Sequence, residues 1–169
     1  MYKRILAPVD GSAASNNSLN EALRLAKDGG ARLCILHVID GIAFRSEKNP
    51  FTATADGYRE SGRKLMAELK AYVQKKGVAA ELLTEENLSG RAADSIVGVA
   101  KKWRADLIVM GTHGRRGFSR LILGSDADLV LRTATVPVLF VRPGRAGAGN
   151  RRVKAKKSGR RSAAGRKGK

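Results

Sequence analysis

The residues best suited to binding an anion follow an apolar run in the second half of the chain. Gly111, Gly114 and Gly124 are spaced as G-x2-G-x9-G, and Ser125 directly follows the last glycine. Glycines after a buried strand let backbone N–H groups approach an anion that a side chain would hold away. Because Gly124 and Ser125 also precede a helical pattern, free N–H groups and the helix dipole favour a phosphate there. The spacing predicts a phosphate-binding loop, although glycines that only punctuate a loop would leave the same pattern.

A carboxylate near the start of the chain is a second candidate ligand. Asp10 ends the apolar run 5–9 and is followed by Gly11 and Ser12. In an open α/β sheet, ligands bind outside the carboxyl ends of the strands where the chain order reverses, and an acid there accepts hydrogen bonds from ribose hydroxyls. We expect Asp10 to face the glycine loop. A turn or helix-capping role would also account for an aspartate at this position.

Short apolar runs alternate with helical patterns over residues 1–142, and these elements must position the candidate ligands. Three nearly unbroken apolar runs are typical of central strands covered on both faces: 5–9, 33–39 and 107–110. The sequence also indicates a polar edge strand at 81–84 and a last strand at 138–141, directly after Pro137. The alternation predicts an α/β domain with a doubly wound, mainly parallel, Rossmann-like sheet.

The predicted helices have recognisable ends. Ser12 is a candidate N-cap for the first helix, and residues 29–30, both glycine, end it. Gly77 follows the second helix, and Ser125 is a candidate N-cap for a short fourth helix that includes residues 128–133. Between the second strand and the second helix, residues 40–55 predict a long loop that is either a lid over a ligand or a mobile insertion.

Charge divides the chain near Pro143. The sequence has 33 Lys and Arg residues against 15 Asp and Glu, for a net charge of +18, and residues 143–169 hold 11 basic residues and no acidic one. This tail has almost no large apolar side chain, so we expect it to be disordered when free. Its cations from Arg151 to Lys169 favour nonspecific binding of DNA or RNA through phosphates; a solubilising extension is the alternative.

Several classes of protein are disfavoured by what the sequence lacks. A single Cys34 excludes an intrachain disulfide framework and a multi-cysteine zinc site. The apolar run behind Met1 is too short for a signal peptide, and no segment approaches the ~20 apolar residues of a membrane span, so we expect a cytoplasmic protein. There is no G-x-x-x-x-G-K-[ST] and no G-x-G-x-x-G after the first strand, which disfavours a Walker-type NTPase and a dinucleotide oxidoreductase.

Other side chains near the loop leave alternatives open. His113 is either a phosphate ligand or a solvent-facing loop residue. Three arginines of the loop either clamp an anion or form a charged exposed surface: Arg115, Arg116 and Arg120. His37 and Cys34 lie in an apolar strand, where a hydrogen-bonded core histidine and an inert buried thiol are expected. Trp103 is expected to pack in the core.

Over residues 1–142 the sequence resembles the universal stress protein family in its ATP-binding branch, here extended by the basic tail. The features that carry the resemblance are K-R-I-L-A-P-V-D-G-S at 3–12, L-H-V at 36–38, A-D-L-I-V-M-G at 105–111, the G-x2-G-x9-G-S loop and V-P-V-L at 136–139. The resemblance implies a five-stranded sheet in the order 3-2-1-4-5, a homodimer, and a nucleotide that is held rather than rapidly processed. For dimerisation, the apolar strand from Val136 to Val141 offers a sheet edge that two copies can pair.

The resemblance also implies ligand contacts at matching positions. Pro8, Val9 and Asp10 would contact adenine and ribose, and Val38 would pack on the base, so that Val9 and Val38 offer an apolar slot. The remaining contacts would come from the loop: Met110, Gly111 and Gly114 at the ribose and phosphates, and Gly124 and Ser125 at the terminal phosphates.

Asp126 departs from the family, which commonly has a small apolar residue at this position. A carboxylate beside a triphosphate is repulsive unless a cation bridges them, so Asp126 either weakens ATP binding or helps to hold Mg²⁺. The sequence favours an ATP-binding regulatory protein of the stress response. An architectural nucleic-acid-binding protein whose core has lost its ligand is the alternative. Because only His113 and Asp126 offer a base for hydrolysis, we expect at most a slow ATPase.

Overall fold

The computed structural model describes residues 1–40, 55–87, 90–114 and 123–142, which form a five-stranded sheet flanked by four helices. The strands are β1 (Arg4–Val9), β2 (Arg32–Asp40), β3 (Ala80–Asn87), β4 (Leu107–Gly111) and β5 (Val138–Val141). The helices are α1 (Ala13–Gly29), α2 (Ala55–Lys75), α3 (Ala92–Lys102) and α4 (Ser125–Thr133). All paired strands are parallel, in the order β3-β2-β1-β4-β5, which confirms the order 3-2-1-4-5.

The sheet separates two apolar cores because successive strand side chains point to opposite faces. On one face, Ile5 and Ala7 of β1 pack with the buried residues of α1 and α2. On the other face, Leu6 of β1 and Leu36 of β2 pack with those of α3 and α4. Covered strands of this kind explain why β1, β2 and β4 are nearly continuous apolar runs in the sequence.

Most helix ends follow the sequence signals, with one exception. Ser12 caps α1, its Oγ accepting a hydrogen bond from the Ser15 N–H at 3.1 Å, and Gly30 ends α1 with φ 61°. The prediction for α4 is wrong: Ser125 is its first helical residue, and the N-cap is Gly124 in an extended conformation, without a side-chain cap. A Cβ on Gly124 would lie 3.3 Å from the Thr112 carbonyl oxygen, so this approach favours glycine at the cap.

Two element boundaries also differ from expectation. β3 is an edge strand, but it extends beyond 81–84 to Ala80–Asn87, because all eight residues pair with β2. Asp40 is the last residue of β2 and Ala55 the first of α2, so the connection is one residue shorter at each end than the predicted loop 40–55. Its residues 41–54 and the tail from 143 onwards lie outside the described residues. Within the described part of the chain, no helix is long and apolar enough to cross a membrane.

Candidate functional site

The candidate site lies at the carboxyl ends of two neighbouring strands. β1 and β4 are adjacent in the sheet and run parallel, so Val9 and Gly111 end them at the same edge. The chain turns into α1 just after β1, and α4 begins at this edge as well. Here the chain order reverses, since β2 lies on one side of β1 and β4 on the other. This is the position at which open α/β sheets bind ligands.

Asp10 and the glycine loop are brought together. A Cβ placed on Gly114 would lie 2.8 Å from Oδ2 of Asp10, so the carboxylate occupies the space that a side chain at this position would need. The other oxygen, Oδ1, accepts a hydrogen bond from the Ser12 N–H at 2.9 Å, and the Asp10 N–H donates to Ser15 Oγ at 3.4 Å. The turn role that the sequence allowed is thus present, and it also fixes the carboxylate at the mouth of the loop.

The two ends of the glycine loop are held together by the backbone. The Gly124 N–H donates to the Thr112 carbonyl at 2.9 Å, and the Thr112 N–H donates to the Val141 carbonyl of β5 at 3.3 Å. Gly124 therefore lies beside residues 112–114, and a Cβ placed on it would lie 3.5 Å from the His113 Cα. Residues 115–122, which include the three arginines considered as anion clamps, lie outside the described residues.

Close packing against α1 explains why position 111 is a glycine, which the spacing of the motif alone did not indicate. A Cβ on this residue would lie 3.0 Å from both the carbonyl carbon and the Cβ of Ala14 in the first turn of α1. Since contacts that close force the helix away, glycine here allows α1 to pack on the end of β4. The first glycine of the motif therefore shapes the site by setting the position of α1.

His113 is better placed for a ligand than the sequence suggested. Its Nδ1 lies 3.0 Å from Thr112 Oγ1, and its Nε2 is buried with no hydrogen-bond partner among the described residues. Nε2 itself is therefore shielded from solvent, while the residue as a whole is half-buried. A buried polar atom without a partner costs free energy, so an incoming hydrogen-bonding group would satisfy it.

The apolar residues expected around a base lie on different faces of the sheet. Val38 and Met110 belong to the core beneath α3 and α4, and Pro8 is also buried. Val9 is 4% exposed and belongs to the opposite core, because it pairs with His37 and is therefore out of phase with Val38. The expected slot between the side chains of Val9 and Val38 is wrong; Val9 can reach a ligand at this edge only through its backbone.

Acidic residues occupy the first turn of α4. Asp126 is half-buried and shares that turn with Asp128, which pairs with Arg132 at 3.0 Å. Carboxylates at a helix N-terminus are stabilised by the same dipole that favours a phosphate. Within the described residues, no group of three or more His, Cys, Asp or Glu could hold a metal ion. Asp126 would therefore bind Mg²⁺ only together with oxygens of a bound phosphate.

The other candidate side chains have structural roles. His37 is 8% exposed, and its Nδ1 donates to the Val9 carbonyl at 2.9 Å, which confirms a hydrogen-bonded core histidine. Burial raises the pKa of the Cys34 thiol to about 12, in keeping with an inert thiol. Trp103 is 9% exposed and packs in the core as expected, while its indole N–H donates to Glu81 at 2.8 Å.

A separate cleft of about 460 Å³ lies between α1 and α2. Its walls include Leu65, Leu69 and Tyr72 of α2, and none of the residues expected to bind nucleotide lines it. We therefore place the candidate nucleotide site at the sheet edge, where Asp10 meets the glycine loop.

Two structures of this fold contain nucleotides. A universal stress protein in complex with cAMP is 24% identical, with a TM-score of 0.62; the match covers 83% of this chain and 97% of the other. A universal stress protein from Archaeoglobus fulgidus in complex with dAMP is 23% identical, also with a TM-score of 0.62, and the match covers 82% and 97%.

Closer similarities establish the family. A universal stress protein of Methanocaldococcus jannaschii is 34% identical over 144 residues, 84% of this chain and 83% of that protein. A crystal structure of a family member from Burkholderia pseudomallei is 31% identical, with a TM-score of 0.65, and the match covers 83% of this chain and 96% of the other. The family model described as the universal stress protein family matches residues 1–142. With the fold, the strand order and the glycine loop in agreement, the chain belongs to the universal stress protein family.

Proposed function

We propose that residues 1–142 form an ATP-binding regulatory module of the stress response. The observation that carries the proposal is the close approach of the Asp10 carboxylate to Gly114 at the switch point of the sheet, where a Cβ on the glycine would lie 2.8 Å from Oδ2. A ligand held there meets a fixed acceptor for ribose hydroxyls on one side and a side-chain-free backbone on the other.

Each part of a nucleotide has a candidate partner at this edge. Asp10 would accept from the ribose, and backbone N–H groups of Gly114, Gly124 and Ser125 would bind the phosphates. Val38 is half-buried at the end of β2 and offers apolar surface to a base. The buried, unpartnered Nε2 of His113 supports a hydrogen-bonding ligand beside the loop.

An adenine base is proposed by likeness to the family. The two nucleotide complexes of the same fold hold cAMP and dAMP, and both are adenine nucleotides. Asp126 would help to hold the Mg²⁺ that accompanies ATP, and the cation would supply positive charge beside the phosphates. In that arrangement, the cation offsets the repulsion that Asp126 would otherwise exert on a triphosphate.

Calorimetry tests this proposal directly. Nucleotide-free protein is titrated with ATP and then with GTP, each in the presence of Mg²⁺. We expect 1:1 binding of ATP per subunit and weaker binding of GTP. Equal affinities for the two would refute adenine selectivity, and no heat of binding with either would refute the nucleotide site.

Binding rather than turnover is the proposed role. The chain has no P-loop lysine to stabilise charge at the γ-phosphate. We therefore expect any ATP hydrolysis to fall well below the ~1 to 10³ s⁻¹ of ordinary enzymes. Release of phosphate within that ordinary range, measured at saturating ATP, would overturn the binding-protein proposal.

A homodimer through β5 is the second part of the proposal. β5 is an edge strand, and Leu139 on it is 37% exposed; Leu131 of α4 is 54% exposed. Pairing two such edges across a twofold axis would cover this apolar surface and close the assembly.

The basic tail supports a second function, tethering to nucleic acid. If ~5 to 8 of its 11 cations meet duplex phosphates, the logarithm of affinity should fall with the logarithm of salt concentration at a slope of roughly −5 to −7. Full-length protein is compared with residues 1–142, a length that spans nearly the whole of the Burkholderia pseudomallei structure. Equal affinities would reduce the tail to a solubilising extension. Duplex binding without any ATP binding would instead favour the architectural alternative.

A further inference from the structure

The amino edge of the sheet, opposite the nucleotide site, carries a dense group of exposed cations. Helices in this fold run opposite to the strands, so the ends of α1, α2 and α3 meet the starts of β1 and β2 at this edge. We call these cations the amino-edge surface; they are Lys3, Lys27, Arg32, Lys75, Lys76, Lys101, Lys102 and Arg104.

The carboxylates at this edge are already engaged in structural contacts. Asp106 accepts hydrogen bonds from two backbone N–H groups at the start of β1, at 2.7 and 2.9 Å. Glu81 accepts from the Trp103 indole N–H at 2.8 Å, and Asp28 pairs with Arg24 at 3.4 Å. Arg32 of β2 lies 3.8 Å from Glu81. No other member of the amino-edge surface forms an ion pair with a described residue. The edge therefore has a strong positive excess.

One member of the surface is held at a conformational cost. α1 and α2 each end beside a glycine in the left-handed region, Gly30 with φ 61° and Gly77 with φ 68°. α3 ends beside Arg104 with φ 54°, where glycine is the ordinary choice. Attraction to the helix dipole does not require this residue, because Lys101 and Lys102 already supply cations to the last turn. A residue kept in a strained conformation points to a role outside folding.

We propose that the amino-edge surface binds the phosphate backbone of duplex nucleic acid. Neighbouring strands lie ~4.8 Å apart, so the edge from β3 to β4 spans about 14 Å. Duplex DNA carries one charge per ~1.7 Å of its axis with both strands counted, so that span holds about eight phosphates, and the cations of the surface outnumber those on the near side. Sequence-independent contacts of this kind need no base-reading groups.

A protein partner fits this surface less well. Lysine is depleted in protein interfaces, which depend on buried aromatic or apolar anchors. Among the described residues, the large exposed apolar side chains are Met1, Tyr2, Leu131 and Leu139, and only the first two lie near this edge, at the start of the chain. The surface is thus rich in lysine and poor in anchors, as phosphate binding requires.

The amino-edge surface is independent of the two functions proposed above. The nucleotide site occupies the opposite edge of the sheet, and β5, which precedes the tail, also ends there. Loss of ATP binding would therefore leave duplex binding by the surface intact. A contribution from the tail would add to that of the surface without replacing it.

Two charge-matched triple variants of the full-length protein test the proposal. The first combines Lys101→Gln, Lys102→Gln and Arg104→Gly; the control combines Arg63→Gln, Lys64→Gln and Lys70→Gln, all exposed on α2 away from the edge. Binding of a fluorescein-labelled mixed-sequence DNA duplex is followed by anisotropy between 50 and 200 mM KCl. We expect the first triple to reduce the salt slope by about 2 to 3 and the affinity at 0.1 M salt by about 100- to 1,000-fold, with little change in the control.

Arg104→Gly alone separates binding from folding. Removing the strained side chain should raise the melting temperature by about 2–4 °C while weakening duplex binding by about five- to tenfold at 0.1 M salt. A variant that folds better but binds less well cannot be explained by damage to the structure. A raised melting temperature with unchanged duplex affinity would overturn the assignment of Arg104.

Three other outcomes overturn the proposal as a whole. Equal losses in the two triples would mean that only net charge matters. If neither triple weakens duplex binding, all of the binding belongs to the tail. Vesicles of anionic lipid provide the third test: vesicle binding that depends on the amino-edge surface, with duplex binding that does not, would reassign the surface to membranes.

Discussion

The close approach of Asp10 to Gly114 makes Gly114→Ala the most informative single substitution. The new Cβ would lie 2.8 Å from Asp10 Oδ2, whereas ordinary contact begins at 3.4 Å, so the carboxylate or the loop must move by about 0.6 Å. Because Oδ1 is tied to the Ser12 N–H at 2.9 Å, the carboxylate cannot yield without loosening that hydrogen bond. The substitution therefore displaces the proposed ribose acceptor from its site.

The expected loss follows from the hydrogen bond at risk. A hydrogen bond to a charged group contributes ~1.5 to 3 kcal/mol, so its loss predicts about 10- to 150-fold weaker binding of ATP with Mg²⁺. Gly114 does not have a positive φ, so alanine adds no backbone strain, and loosening one hydrogen bond should lower the melting temperature by only about 2–4 °C. Isothermal titration calorimetry measures the affinity, and circular dichroism measures the stability.

Gly98→Ala is the matched control for this experiment. A Cβ at Gly98 meets no atom within 4 Å, and the residue lies in α3 away from the loop. We expect unchanged ATP affinity and a small rise in stability, since alanine favours a helix. If Gly114→Ala binds ATP as tightly as the wild type, the nucleotide does not lie where Asp10 meets the loop.

Three further expectations test other parts of the structure. Asp10→Asn keeps an oxygen for the Ser12 N–H but loses an acceptor for ribose, so calorimetry should show about 10-fold weaker ATP binding or worse in a protein of unchanged stability; wild-type affinity would rule out the ribose role. Leu139→Glu should convert the dimer to a monomer, because it places a charge on each paired edge. Light scattering measures the mass; a dimer in the variant, or a monomer in the wild type at all concentrations, would contradict pairing through β5. Because burial raises the pKa of Cys34 from 9.0 to about 12, a disulfide reagent at pH 8 should label the thiol only after unfolding, and the free energy of unfolding should fall as pH rises from 9 towards 12; rapid labelling of the native protein would refute its burial.

The strands could be predicted because they depend on local signals, whereas their order came from the resemblance to the family. Continuous apolar runs identify covered strands, and the resemblance to the family supplied the order around β1. Ser12 and Gly30 were predicted because caps are determined by neighbours in sequence. The edge strand β3 was underestimated, since its pairing with β2 continues past the apolar residues.

The finer features of the site depend on contacts between distant residues. Gly124 replaces Ser125 as the cap of α4 because Thr112 passes close to it, and no local signal reports that approach. The burial of His113 Nε2 likewise comes from tertiary packing. The separation of Val9 from Val38 follows from the register of β1 against β2, which fixes the residues that share a face. Both strands are nearly continuous apolar runs, so their sequences do not show which side chains point to which face.

The central claim is that ATP binds at the carboxyl ends of β1 and β4, and an NMR titration tests it most directly. Amide resonances of ¹⁵N-labelled protein are recorded while ATP is added with Mg²⁺. We expect the largest shifts at Asp10, Val38, Gly114 and Gly124, with small changes along the cleft between α1 and α2. Shifts confined to that cleft, at Leu65, Leu69 and Tyr72, or no shifts at millimolar ATP, would contradict the account.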